Sequence, residues 1–171
     1  MNMNQKGFTL IELVMVLVLM GVIAVIVAPK LGDVTGTKAS AFKDKLKADI
    51  RYAQNIAMTR NRRTRVNLTN TIYSVTLDNS AANNCSSFAA VEDPAGAVTL
   101  SVALDTGSYT GITITPSIGC LEYDSLGSPY NCVGVAGPPC STVPLAATMT
   151  VDVNNDPTMR VSVAMRTGAV N

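Results

Sequence analysis

Residues 6–29 read Lys-Gly-Phe-Thr-Leu-Ile-Glu-Leu-Val-Met-Val-Leu-Val-Leu-Met-Gly-Val-Ile-Ala-Val-Ile-Val-Ala-Pro, and this stretch decides how the chain is organised. From Phe8 to Ala28 the only charged residue is Glu12. A helix rises about 1.5 Å per residue, so this run spans roughly 30 Å, the thickness of the hydrocarbon core of a bilayer. The pattern therefore predicts a membrane-spanning helix over 8–29.

Glu12 is the unusual residue of this run, since it lies four residues beyond Phe8. A carboxylate inside a bilayer costs on the order of 2.5–3.5 kcal/mol on insertion scales, so it is a candidate functional residue. Two interpretations are open. The side chain extends to the headgroups, or it pairs with a positive charge on another chain, because a paired charge in lipid costs much less than an isolated one.

The start of the chain differs from an ordinary secretory signal. Such a signal has an apolar region of about 7–15 residues followed by a small-residue cleavage site. Here the apolar run is longer, and the small residue Gly7 precedes it. Cleavage between Gly7 and Phe8 would remove a leader of residues 1–7 and leave the apolar helix on the mature protein. By the positive-inside rule, Lys6 stays in the cytoplasm and the C-terminal part reaches the periplasm.

The segment Lys-Gly-Phe-Thr-Leu-Ile-Glu resembles the signal of type IV pilins and type II secretion pseudopilins, with matches at Lys6, Gly7, Phe8 and Glu12. In that family a prepilin peptidase cuts after the glycine and methylates the new amino terminus. The resemblance implies cleavage between Gly7 and Phe8 and N-methylation of Phe8. It also implies that Glu12 pairs with the Phe8 ammonium of a neighbouring subunit and sets the register of assembly.

Two further positions match the family, a helix-weakening glycine at Gly21 and a proline at Pro29. The resemblance implies that the helix loosens between them in an assembled filament. Proline lacks a backbone donor, and the glycines of residues 30–37 are poor helix formers. We therefore expect a kink or a weak turn after Pro29 rather than a domain boundary.

Helical periodicity returns from Lys38 to Arg60, where apolar residues recur at steps of three and four. The apolar stripe consists of Phe42, Leu46, Ile50, Ala53 and Ala57. The charged residues expected largely off that stripe are Lys43, Asp44, Lys47, Asp49 and Arg51. We predict an amphipathic stem helix over 30–61 that packs on a globular domain.

Residues 62–171 are predicted to form a β-rich globular domain in the periplasm. Alternating segments predict strands at 64–69, 71–77, 97–104, 109–115, 120–123, 146–153 and 158–165. Turns are expected at Asn70 and at Asn154–Asn155, and a loop over 78–96. The Gly- and Pro-rich segment 134–139 is expected to interrupt the strands.

Two segments resemble the minor pseudopilin H and FimT-like branch of the family. One is the helix end with Tyr52, Ala53, Ala57 and Asn61; the other has Tyr123, Asp124, Gly127 and Pro129 in an aromatic-Asp-x-x-Gly-x-Pro pattern. The implied fold class is α+β. A long N-terminal helix, membrane-spanning in its first half, packs on an antiparallel β-sheet domain.

The composition argues against an enzyme. The chain has no His, which is the commonest general base and metal ligand. It also lacks a Cys-x-x-Cys pair and a phosphate-cradling glycine loop. We therefore expect no catalysis, no metal site, no cofactor and no small-molecule substrate. Glu122 and Asp124 are two residues apart, so they share a strand face, and we expect them to form a charged rim.

The net charge of +1 conceals a division along the chain. Residues 30–65 contain ten Lys or Arg and three Asp, a net charge of +7, whereas residues 66–159 contain eight acidic residues and no Lys or Arg. Two interpretations are open. Neighbouring subunits pack a basic stem against an acidic domain, or the two halves neutralise each other within one domain.

The densest basic cluster consists of Arg60, Arg62, Arg63 and Arg65. One interpretation is a solvated helix end, where cations favour the C-terminal dipole. The other is phosphate contact, since some FimT-like pilins take up DNA through basic residues near the carboxyl end. That end holds only Arg160 and Arg166 here, with no aromatic residue between them for base stacking, so we do not expect nucleic acid as a partner.

Four cysteines lie in the part expected in the periplasm, an oxidising compartment that favours two disulfides. Three pairings are open. The short spacing between Cys132 and Cys140 favours that pair, which leaves Cys85 with Cys120.

These observations predict a minor pilin or pseudopilin, a structural subunit of a type II secretion pseudopilus or a type IV pilus. The expected partners are prepilin peptidase, other pilins or pseudopilins, and inner-membrane lipid. The subunit would cross the bacterial inner membrane once and then enter the filament. Two alternatives are a DNA-binding FimT-like uptake pilin and a membrane-anchored periplasmic domain that never polymerises.

Overall fold

The computed structural model describes residues 9–31, 34–94, 96, 98–135 and 139–171, with the side chains of 25–31 and 34–35 outside the description. The chain divides into two compact units, Met1–Thr37 and Lys38–Asn171. Each unit is described by itself below.

The first unit contains helix α1, Leu10–Leu31. Every described side chain of this helix, from Leu10 to Ala24, is exposed. Counting only the residues whose placement is described, no helix is long and apolar enough to cross a bilayer. The membrane span over 8–29 therefore stays a prediction from the sequence.

Helix α1 extends two residues past Pro29, and helix α2 covers Val34–Arg60, four residues earlier than the periodic pattern begins. Residues 32–33, part of the segment where a kink or turn is expected, lie outside the described residues. Val34–Thr37 is helical despite Gly36, because intrinsic propensity is a weak constraint on a long helix.

Helix α2 shares a core with the sheets, as the predicted fold class requires, although its bounds differ from the expected stem of 30–61. Its apolar stripe is buried, with Phe42, Leu46, Ile50, Ala53 and Ala57 all at 0% exposure. The helix ends where Asn61 adopts a left-handed conformation with φ of 51°. The N–H of Arg62 then donates to the carbonyl of Ala57 at 3.2 Å. This is the hydrogen bond of a Schellman motif, which satisfies a last-turn carbonyl when the residue after the helix is left-handed.

The rest of the second unit consists of antiparallel strands, as the fold class predicts. The strands are β1 Thr64–Leu68, β2 Ile72–Asp78, β3 Phe88–Ala90, β4 Ser101–Ala103, β5 Ile114–Pro116, β6 Cys120–Tyr123, β7 Pro129–Asn131, β8 Met149–Val153 and β9 Asp156–Val163. Among the described residues, one sheet has the order β3-β2-β1-β6-β7 with β4 also paired to β2, and a second has the order β5-β8-β9.

The predicted hairpins are present. Strands β1 and β2 pair antiparallel from Thr64↔Leu77 to Leu68↔Tyr73. Strands β8 and β9 are joined at Asn154 and Asn155, whose φ values of 54° and 56° fit the two-residue turn that matches strand twist. Two short strands differ from the prediction: β3 lies inside the expected loop 78–96, and β7 was not predicted. Each has three residues, too few to show an alternating pattern.

One hydrophobic core joins α2 to both sheets. Its largest fully buried side chains include Tyr73 of β2, Tyr123 of β6 and Met149 of β8. The ring of Phe42 meets the edge of Tyr73, with ring centroids 5.9 Å apart. The apolar stripe of the stem therefore belongs to the same buried core as residues of both sheets.

The disulfide pairing expected from the sequence is wrong. The structure joins Cys120 to Cys132 and Cys85 to Cys140. Cys120 begins β6 and Cys132 follows its antiparallel partner β7, so their Cα atoms lie 5.1 Å apart, within the span of a disulfide. The N–H of Cys132 also donates to the carbonyl of Cys120. Short spacing along the chain misled the prediction because β7, which brings these two cysteines together, was not expected.

Candidate functional site

The first candidate site is the start of helix α1. The side-chain oxygen of Thr9 accepts the N–H of Glu12 at 3.4 Å, and the Thr9 carbonyl accepts the N–H groups of Glu12 and Leu13. Thr9 thus caps the helix, with Glu12 at the third position of the first turn. A carboxylate there favours the positive end of the helix dipole. Gly7 and Phe8 lie outside the described residues.

Glu12 is one of four residues that line an apolar groove on α1. The groove has a volume of about 260 Å³ and is lined by Glu12, Leu13, Val16 and Leu17. Among the described side chains of α1, the exposure of the large apolar ones runs from 45% at Val16 to 82% at Leu10. A helix that is apolar on all sides is normally covered by lipid or by other protein. The arrangement can therefore bind apolar surface that carries a positive charge.

The second candidate site is a buried ion cluster on the first sheet. Glu122 of β6 is fully buried, and its two oxygens accept from Arg63 Nη1 at 2.9 Å and Arg65 Nε at 2.6 Å. The N–H of Ser141 donates a third bond to the same carboxylate at 3.2 Å. The expectation of a charged rim is wrong for Glu122, because strand pairing places it directly opposite Arg65.

Both arginines of the cluster also stack on aromatic rings. Arg63 lies 4.4 Å from the centre of the Tyr130 ring, and Arg65 lies 4.1 Å from that of Phe88. Within the described part of the chain, Arg65 Nη2 is buried and has no acceptor. Two cations share one carboxylate, so the cluster keeps one net positive charge. The sequence offered no signal for this cluster, since the pairing of β1 with β6 is a long-range contact.

The remaining arginines of the predicted phosphate-contact set differ in their surroundings. Arg60 is exposed at the end of α2, whereas Arg62 donates to the carbonyls of Asp78 and Ser80 at 3.1 and 2.9 Å. A polar cleft of about 230 Å³ lies beside Arg62 and Arg63. Its other lining residues are Asn61, Asn83 and Ser125. Arg62, Arg63 and Arg65 thus already donate hydrogen bonds to groups of the domain itself.

Asp78 is a second charged residue near this cleft whose hydrogen-bond partners lie within the domain. It accepts from the N–H and hydroxyl of Ser80 and from the N–H of Cys85. Burial alone would raise the pKa of this carboxyl, but these hydrogen bonds and the charge of Arg62 lower it below the usual value of 3.8. Asp78 also lies close to the sulfurs of Cys85 and Cys140, which are bonded to each other and so offer no thiolate to a metal ion.

A third set of charges fixes the other side of α2. Asp49 is buried and accepts the hydroxyl of Tyr73, and Lys45 reaches both Asp49 and Asp93 at 3.1 Å. Burial, with the bond to Asp49, raises the pKa of Tyr73 far above its usual value. The sequence placed Asp49 off the buried stripe, and this was wrong because Tyr73 supplies a buried partner.

The Tyr-Asp-x-x-Gly-x-Pro stretch forms the turn between β6 and β7. Asp124 accepts the N–H groups of Leu126 and Ser128 at 2.9 and 2.8 Å, and Gly127 has a positive φ of 78°. Gln54 of α2 donates to the Gly127 carbonyl at 2.9 Å and also to that of Thr167. The motif therefore anchors the turn and the C-terminal segment on the stem.

Comparison with known proteins identifies the N-terminal segment. Residues 2–28 match the family described as the prokaryotic N-terminal methylation motif. A search of curated proteins gives no match. Among solved structures, the chain is similar to the type IV minor pilin FimU of Pseudomonas aeruginosa in two crystal forms, each with 11% identity. One covers 75% of this chain and 87% of FimU with a TM-score of 0.44, the other 80% and 89% with 0.47.

Proposed function

We propose that this chain belongs to the type IV pilin and pseudopilin family and is a minor subunit of a type IV pilus or a type II secretion pseudopilus. The observation that carries the proposal is the methylation motif over residues 2–28, which includes Glu12 in an otherwise apolar segment. The subunit would belong to the minor pseudopilin H and FimT-like branch. Its role is assembly rather than catalysis.

The proposed pathway begins in the inner membrane, with residues 8–29 spanning the bilayer and the C-terminal domain in the periplasm. Prepilin peptidase cleaves between Gly7 and Phe8 and methylates Phe8. The apolar helix then leaves the lipid and enters a filament core made by the helices of other pilins. Flexibility between Gly21 and Pro29 would let the helix adapt to that core.

Glu12 supplies the specificity of this step. Its side chain is exposed, and among the described residues it has no ion-pair partner. In an apolar filament core an isolated carboxylate is costly, whereas one paired with an ammonium is much less so. The ammonium of Phe8 on a neighbouring subunit would provide that partner and would favour one axial register.

The test replaces Glu12 in the full-length chain. Glu12→Val should leave insertion and cleavage intact and reduce incorporation into filaments to background, because the register pair is lost. Glu12→Gln, which keeps the shape and removes the charge, should behave similarly. The matched control is Asp44→Asn, which neutralises an exposed carboxylate of α2 and should assemble normally. Immunoblots of sheared filaments measure the result. Normal incorporation of Glu12→Val would contradict the register role of Glu12, and absence of the unaltered chain from filaments would support the anchored domain that never polymerises.

The polar cleft beside Arg62 and Arg63 supports a second candidate, contact with the phosphates of DNA. Arg60 is exposed nearby and has no hydrogen bond or ion pair among the described residues. Replacing Arg60 and Arg62 by Ala should then abolish salt-dependent retention of DNA. Replacing Lys38 and Arg166, two exposed cations elsewhere, is the matched control. This candidate ranks second, because Arg62, Arg63 and Arg65 already bind groups of the domain itself.

A further inference from the structure

The two flanks of helix α2 carry opposite charge. The buried stripe of Leu46 and Ile50 separates them, and residues two apart on a helix differ by about 200° around its axis. Lys45 therefore lies on nearly the opposite side of α2 from Lys43 and Lys47. The residues that α2 contacts in the strands and loops show which part of the domain lies beside each flank.

One flank is basic. Lys43 and Lys47 lie one turn apart, both half-buried, and neither forms a hydrogen bond or ion pair with any described residue. Arg51 continues this row one turn further and donates to the carbonyl of Val170 at 2.7 Å. We call Lys43 and Lys47 the basic flank; the C-terminal segment borders the same side of α2.

The other flank adjoins an acidic edge. Lys45 reaches Asp93 in the segment that joins β3 to β4, and both strands pair with the outer side of β2. Glu92 precedes Asp93, and Asp105 follows β4; both are exposed, and neither has an ion-pair partner among the described residues. We call Glu92 and Asp105 the acidic edge.

The basic flank and the acidic edge cannot neutralise each other within one chain, because the buried stripe and the sheet packed on it lie between them. Charges on opposite sides of a domain suit a head-to-tail contact between two copies. Such a contact uses two different surfaces and repeats without closing, which is the geometry of a filament. Neutralisation of the basic segment by the acidic one within the chain is seen for Lys45, Arg63 and Arg65. Lys43 and Lys47 have no such partner among the described residues.

We propose that the basic flank binds the acidic edge of a second copy of this chain, placing Lys43 and Lys47 against Glu92 and Asp105. The proposal rests on the proposed function, since it describes how neighbouring domains meet once the apolar helices have brought them together. Exposed ion pairs contribute little binding energy, so the contact selects orientation and neighbour rather than holding the filament. It should weaken as salt rises, because exposed charges are screened.

The first experiment maps the contact in the full-length chain, in membranes of cells that carry the assembly machinery. Carbodiimide joins a lysine amine to a neighbouring carboxylate as an amide, without a spacer. Light and heavy isotope-labelled copies are mixed before coupling, so a peptide pair with one light and one heavy member reports contact between copies. The expected pairs join Lys43 or Lys47 to Glu92 or Asp105. Pairs found only within one copy, or only with another pilin, would overturn the proposal.

The second experiment exchanges the charges. Two differently tagged copies are co-purified from the same membranes. Lys43→Glu with Lys47→Glu should reduce recovery about tenfold, since two attractions become repulsions, and Glu92→Lys with Asp105→Lys should do the same. Combining all four should restore recovery to near the starting level. The matched control, Arg60→Glu with Arg166→Glu, makes the same change in net charge at other exposed positions and should have little effect.

The outcomes separate this contact from the proposed function. Failure of the fourfold exchange to restore recovery, or an equal loss in the control, would contradict the contact while leaving the pilin role intact. If the unaltered chain is neither cleaved at Gly7 nor found in filaments, the proposed function itself has failed. Each charge variant is therefore also checked for cleavage, which the contact model expects to be unchanged.

Discussion

Two glutamates of this chain lie in opposite situations. Glu12 lies in the first turn of an apolar helix, exposed, with no ion-pair partner among the described residues. Glu122 lies in the second unit, fully buried, with Arg63, Arg65 and the N–H of Ser141 on its oxygens. The second carboxylate is satisfied by the fold, whereas the first is not.

This difference separates charges that are paired within the fold from charges to which the proposed function assigns a role in assembly. A buried ion with several donors stabilises one arrangement of strands, because losing any partner leaves an uncompensated charge. Among the described residues, the Glu12 carboxylate gains no comparable ion pair from its own chain. In the proposed function its partner is the Phe8 ammonium of another subunit. The same reasoning distinguishes Lys45, which is paired, from Lys43 and Lys47, which have no ion-pair partner among the described residues.

The largest effect on stability is expected from Glu122→Gln. The change removes the only carboxylate shared by Arg63 and Arg65 among the described residues and should destabilise the domain by about 3–5 kcal/mol. Thermal unfolding of the full-length chain in detergent measures this. Glu92→Gln is the matched control, an exposed glutamate with no ion-pair partner in the described part of the chain, and should change little. If the two variants lose the same amount of thermal stability, the buried and exposed carboxylates do not differ in the way expected here.

A feature of the fold or of the candidate sites could be predicted from the sequence only where its interacting residues lie close together along the chain. The apolar stripe of α2 and the hairpin at Asn154–Asn155 were predicted correctly, because each follows from spacing within a few residues. The burial of Glu122 and Asp49 was missed, because their partners are distant in sequence and meet them only through strand pairing and helix packing. The disulfides were mispaired for the same reason.

An intermediate effect is expected at Asp78. Its folded pKa is lowered, so its stabilisation is present above the unfolded value of 3.8 and is lost as the pH falls further, through the lower folded pKa. Asp78→Asn should cost about 1–3 kcal/mol at neutral pH, because the N–H of Cys85 loses a charged acceptor. Denaturant unfolding from pH 7 to pH 2 should show that the difference in unfolding free energy between wild type and variant becomes smaller below pH 3.8. A difference that stays constant with pH would show that the ionised Asp78 carboxylate does not supply this stabilisation.

The smallest effect is expected at the exposed ion pair between Asp152 of β8 and Arg160 of β9. Arg160 Nε lies 2.6 Å from Asp152, but both groups are open to solvent, which screens their attraction. Arg160→Gln should shift the unfolding midpoint less than either carboxylate change above. The shift should disappear at about 0.5 M salt. A large, salt-independent loss would show that exposure is a poor guide to which charges of this domain matter.

The proposed processing and assembly can be tested by measuring the mass of the mature amino terminus. Full-length chain is expressed with its assembly machinery, purified from membranes and filaments, and digested for mass spectrometry. We expect a first residue Phe8 carrying one N-methyl group, with residues 1–7 absent. An intact leader, a first residue other than Phe8, or an unmethylated Phe8 in assembled filaments would show that the chain is not processed and assembled as a pilin.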